Sequence, residues 1–107
     1  MVKIDFSYLE ILSEDDDDFK KEYLETFHGN YTTLTAKMMS ELKGGDFEAL
    51  GKTAHQLKPT ATMIQLPCSQ SLEELQNKPE GATEAKIQSI HDECADAYQQ
   101  LVKWAGV

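Results

Sequence analysis

Apolar side chains recur at steps of three and four residues along most of this chain, and that period predicts helices. The clearest stripe is Phe47, Leu50, Ala54, Leu57, Ala61 and Ile64. At about 100° per residue these positions share one face, so they predict a helix laid on a core. Phe19, Tyr23, Phe27, Tyr31, Leu34, Met38 and Leu42 predict the longest helix, with Gly29-Asn30 expected to bend or break it near its middle. Ile87, Ile90, Cys94, Ala97, Tyr98, Leu101 and Trp104 predict a last helix running to Ala105. Two shorter elements complete the pattern. Phe6, Tyr8, Leu9, Ile11 and Leu12 make an opening packing helix that stops at Ser13, and Leu72 and Leu75 sit in a brief helix begun by Ser69 or Ser71 after Leu66-Pro67.

Boundary residues sharpen these elements. Ser13 followed by Glu14, Asp15, Asp16, Asp17 and Asp18 reads as a cap with an acidic first turn, which suits the positive end of a helix dipole. Gly44-Gly45 ends the long helix and Asp46 caps the next; so short a turn makes the two antiparallel. Asn77-Lys78-Pro79-Glu80-Gly81 reads as a loop, and Thr83 as the cap of the last helix. No alternating run of Val, Ile or Thr suggests a strand. The expected fold is all-α: an antiparallel four-helix bundle with a short additional N-terminal helix. The 107 residues suffice for one core, so residues 1–107 are read as one domain.

Composition narrows the partners. A formal net charge of −9 repels phosphate backbones and anionic lipid, which disfavours nucleic acid and membrane surfaces and leaves proteins. No apolar run approaches a membrane span and Met1 to Asp5 lacks a signal-peptide core, so a cytoplasmic monomer is expected. Cys68 and Cys94 read as free thiols, Cys94 as a small core residue. His91 and Cys94 have zinc-like spacing but lack a third and fourth ligand. The acidic run lacks the alternation, glycine and distal glutamate of a calcium loop, so no metal site is expected.

Candidate chemistry falls on His55. On the wheel of the clearest stripe it lies about 160° from Leu57, on the polar side with Gly51, Lys52, Lys58, Pro59 and Thr62. A lone surface histidine is ordinarily a solvated side chain, and His28 and His91 are internal controls. The surroundings of His55 differ, because its neighbours are small or cationic: they leave room for another molecule and favour an anion near the ring. Lys58 is one turn on, where it could offset charge on an anion or merely solubilise the surface. Lys52 could as easily pair with Glu48.

Ala54-His55-Gln56-Leu57-Lys58, followed by small residues, resembles the signature of histidine-phosphotransfer (HPt) domains: histidine, any residue, leucine, lysine and glycine on a bundle helix. The Ile4-Asp5 and Tyr8-Leu9 opening, the Phe19 to Leu42 helix and Gly45 to Leu50 are also similar to that family, so the resemblance covers nearly the whole chain. It implies a phosphocarrier: His55 takes a phosphoryl group from an aspartyl phosphate on one response-regulator receiver domain and passes it to another. A hybrid sensor histidine kinase is an implied partner. The receiver brings the magnesium, and this chain binds no cofactor of its own. Lys58 is implied as the phosphoryl charge stabiliser, and Gly51, Lys52, Pro59 and Thr62 as the receiver's footprint, together with nearby exposed parts of the opening helix.

Pro59 departs from the family, which usually has glycine there. Inside a helix it removes the amide that would bond to the His55 carbonyl, which predicts either a kink or a helix that ends near Lys58 and restarts. The rival function is an acidic helical docking or scaffold module with the same fold and no chemistry. An autokinase is poorly supported, since the chain has no Gly-rich nucleotide loop.

Overall fold

Short polar side chains start three of the helices. In the computed structural model, which describes residues 2–14 and 16–106, Asp16 Oδ1 accepts from the amides of Asp18 and Phe19 at 3.0 and 3.2 Å. Asp46 Oδ1 accepts from Ala49 and Thr83 Oγ1 from Lys86, both at 3.1 Å. These caps satisfy amides that have no partner within the helix. The resulting helices are α1 (Ser7–Ser13), α2 (Asp17–Lys43), α3 (Phe47–Met63), α4 (Cys68–Asn77) and α5 (Glu84–Ala105), with a 3-10 turn at Pro79–Gly81. The described residues hold no strand, so the all-helical class stands.

Four boundary expectations need correction. Helix α4 begins at Cys68, directly after Pro67, rather than at Ser69 or Ser71. The cap of α2 is Asp16 rather than Ser13, which is the buried last residue of α1 and donates through Oγ to the Glu10 carbonyl. Glu14 then takes a left-handed φ of 44° and turns the chain; Asp15 lies outside the described residues. Gly29-Asn30 does not break α2, because Phe27 and Tyr31 on either side are both buried and hold the helix to the core. That packing outweighs a glycine penalty of about 1 kcal/mol. Likewise α3 neither ends nor restarts at Pro59 but continues to Met63.

One cluster of buried side chains joins all five helices: Leu9; Leu24, Phe27, Tyr31 and Met38; Leu50, Ala54, Leu57 and Ala61; Leu72 and Leu75; and Ile87, Ile90, Cys94, Ala97 and Leu101. Phe47, expected in the core stripe, is instead exposed, since the first residue of α3 lies at the α2–α3 turn where the core tapers off. Helix α3 packs against α2 and α4, and α5 packs against the same two. Thr53 ties α3 to α2 through Glu41 Oε1 at 2.7 Å. The start of α4 is fastened to α5 by the Cys68 amide, which donates to Glu93 Oε2 at 2.8 Å. Cys68 and Cys94 are both free and buried; bonding to Cys94 and burial push the Cys68 thiol up.

The opening segment fastens the far ends of the longer helices. Asp5 donates its amide to the Ile64 carbonyl at 2.9 Å, and Phe6 stacks on Trp104 of α5 at 5.9 Å with Lys20 of α2 over the same ring. Helix α1 itself buries Leu9 and Ser13 and leaves Tyr8, Ile11 and Leu12 outside. Among the described residues no helix is long and apolar enough to cross a membrane.

Candidate functional site

Helix α3 holds His55 at its middle, with Ala54 and Leu57 fully buried beneath it. Two residues separate an inward from an outward position on a helix, so burying Leu57 turns His55 out, and it is exposed. The ring borders a concavity of about 550 Å³ lined by Glu48, Gly51, Lys52, His55, Gln56, Gln76 and Pro79. Three of the expected site residues, Gly51, Lys52 and His55, thus meet at one hollow.

Gly51 is a correction. It was expected on open surface, yet it is buried, and a Cβ built on it would lie 3.4 Å from both the Gln76 carbonyl and Pro79 Cγ. A single-helix wheel shows why this was missed. Gly51 and Lys58 both project about 100–120° from Leu57, the side on which α4 packs, and nothing in the α3 sequence says where α4 will stand. Gly51 is therefore where the α4 end and the 3-10 turn come close to α3, forming the wall of the hollow.

Each site lysine already has a carboxylate partner. Lys52 Nζ lies 3.5 Å from Glu48 Oε1 on its own helix, in the pairing expected from their spacing. Lys58 Nζ lies 3.5 Å from Glu73 Oε1 on α4 and does not line the hollow. Pro59 and Thr62 are exposed further along the same side, and Thr62 Oγ1 donates to the Lys58 carbonyl at 2.9 Å. Locally, two cations are balanced by two anions, so an arriving anion must draw an ammonium from its partner.

The sequence reading missed the α4 contribution. Gln76 lines the hollow, with its side-chain carbonyl enclosed and unpartnered among the described residues; Pro79 closes the hollow, and Glu73 faces Lys58. The available signal was the amphipathic pattern of α4: with Leu72 and Leu75 inward, Glu73 and Gln76, three apart, share a flank.

The other histidines are differently placed. His28 packs its ring against Tyr98 at 4.9 Å and Tyr31 at 5.5 Å, while His91 packs against Tyr31 at 5.5 Å and pairs with Asp92 at 3.3 Å. Among the described residues, no group of three or more His, Cys, Asp or Glu is placed to hold a metal ion. In comparisons with known proteins, no family model, no curated protein and no solved structure matches this chain.

Proposed function

We propose that the chain is a phosphorelay intermediate of HPt type, with α2 to α5 forming a four-helix bundle, α1 added to it, and His55 as the phosphoryl acceptor. The observation that carries this reading is an exposed imidazole, fixed on a helix whose opposite face is fully buried, bordering a hollow that also holds a lysine. A neutral ring nitrogen attacks the phosphorus of a receiver's aspartyl phosphate in line. The new P–N bond forms as the P–O bond to the acyl oxygen breaks, the aspartate leaves as carboxylate, and the second ring nitrogen keeps its proton. Transfer to a second receiver reverses these bonds. The magnesium belongs to the receiver, and Lys58 or Lys52 offsets charge on the phosphoryl oxygens.

In this reading the receiver covers His55, Lys52, Pro59 and Thr62 and reaches the exposed side chains of α1. Gly51 supports the wall of the hollow instead of touching the receiver. The decisive experiment incubates the protein with a phosphorylated receiver domain and magnesium and follows acid-labile, base-stable phosphate on wild type and His55→Gln. Label confined to the wild type is expected; no label with several receivers, on a folded protein, would overturn the proposal.

One observation favours the alternative of a docking module without chemistry: Ile11 is 71% exposed beside exposed Tyr8 and Leu12, an apolar patch on a helix that buries little of itself. Such a module would bind its partner without taking up phosphate and would tolerate His55→Gln, whereas a carrier would fold normally and lose all phosphoryl transfer; that difference separates the two readings.

A further inference from the structure

We infer that Glu73 is a positioning residue that parks Lys58 on α4 until a phosphoryl group on His55 draws the ammonium away. The inference rests on His55 as the acceptor and adds a control element that the reading does not contain. His55 and Lys58 are three residues apart on α3, where side chains are neighbours, so the flexible lysine stem can reach either the ring or α4. It is found at α4, with Nζ 3.5 Å from Glu73 Oε1.

The two lysine pairs are unequal. Lys52 and Glu48 share one helix, with side chains 75% and 84% exposed, so solvent competes strongly for both charges. Lys58 is only 33% exposed and its pair spans two helices, which holds its ammonium to α4 at a residue that does not line the hollow. Glu73 shares a flank of α4 with Gln76, which lines the same hollow as His55, so the carboxylate stands one helical turn along α4 from a residue of that hollow.

Charge and solvation make the arrangement reversible. A bound phosphoryl group brings up to about two negative charges against the single charge of Glu73, so it wins the competition for Lys58. Glu73 is 56% exposed, so once abandoned its carboxylate remains hydrated and is not a buried unpaired charge. The cost of opening is therefore small, and Glu73 should slow acceptance a few-fold without blocking it.

The test uses phosphoramidate as a small donor, so that no receiver surface intervenes: its P–N bond breaks, ammonia leaves, and the phosphoryl group bonds to His55. Rates of labelling are compared for wild type, Glu73→Gln, Lys58→Ala and the double variant. Glu73→Gln should label about two- to fivefold faster than wild type, and the gain should fade at 1 M salt, where screening acts over about 3 Å. In the Lys58→Ala background, Glu73→Gln should change nothing. Equal acceleration with and without Lys58 would mean direct repulsion by the carboxylate and would overturn the parking role, as would no acceleration at all. Absence of label on wild type would instead sink the acceptor reading, and this inference with it.

Discussion

His28 and His91 lie on the face made by α2 and α5, while His55 lies on α3 beside the end of α4. On the first face the imidazoles pack against tyrosines, Tyr31 touching both and Tyr98 lying against His28, while His28 stays exposed and His91 borders a smaller hollow of about 240 Å³. Gln88 and His91 both hydrogen-bond to Asp92 and hold its carboxyl below the usual range, so His91 is also tied by a polar contact. On the second face the imidazole borders an open hollow among polar side chains. The same residue type, on helices of one fold, packs against aromatic rings in one place and stands among polar side chains in the other, and the difference lies in the neighbours.

Exchanging each histidine for glutamine breaks the comparison most directly. His55→Gln should lower phosphoryl labelling by on the order of a hundredfold or more, because the nucleophile is gone, and should leave thermal unfolding unchanged at an exposed position. His28→Gln and His91→Gln should keep labelling within about twofold and each cost about 0.5–1 kcal/mol through lost ring contacts. Labelling rates and urea midpoints on the same three proteins decide it. Loss of label in His91→Gln with His55 intact would reverse the assignment of the two faces.

The hollow itself can be divided into a wall and a mouth. Gly51→Leu should cost about 2–3 kcal/mol, because even its Cβ meets the Gln76 carbonyl and Pro79, and the remaining carbons would push α4 off α3. Lys52→Ala, at the mouth, should shift stability by less than about 0.5 kcal/mol, since its exposed ion pair contributes little. Urea denaturation reads both. A large substitution at Gly51 therefore reports on folding before it reports on receiver docking.

How much of this was legible in the sequence depended on whether a feature belonged to one helix or to two. The inward set Leu50, Ala54, Leu57 and Ala61, the caps Asp46 and Thr83, and the exposure of His55 follow from periodicity and local hydrogen bonding, and each is as expected. Gly51, Glu73 and Gln76 take their surroundings from how α4 lies against α3, which no wheel of either helix contains. Ser13 misled for a related reason: serine is a good cap in isolation, but its burial in α1 left that task to Asp16. The phosphocarrier proposal rests on the His55 motif and its resemblance.

Pro59 lets the helix carrying His55 be compared with the rest of the fold. Helix α3 keeps a proline in its interior, so residue 59 has no amide to give the His55 carbonyl. Pro59→Ala should supply that amide and remove the ring's clash with the same carbonyl. The gain, set against the extra freedom of the unfolded chain, should be about 1–2 kcal/mol by urea denaturation. No gain would mean that α3 has already relaxed around the ring.

Tyr23 supplies an effect that shows only at alkaline pH, on α2 and outside the hollow. Its phenol oxygen is enclosed without a partner among the described residues, and burial pushes its pKa up to about 12. The neutral form is thus favoured in the folded state, whereas in the unfolded chain the phenol ionises near pH 10. Its contribution is fully present below about pH 10 and is lost as the pH rises towards 12, a decline of roughly 1–2 kcal/mol. Tyr23→Phe deletes both the titration and the orphaned oxygen, so at pH 7 it should be as stable as wild type or slightly more so. Burial raises Tyr31 as well, so alkaline destabilisation should persist in the variant and only its Tyr23 share should vanish. The informative quantity is the difference between the two urea-midpoint profiles from pH 9 to 12: a gap that widens in favour of Tyr23→Phe places the phenol inside the packed face, and parallel profiles place it in solvent.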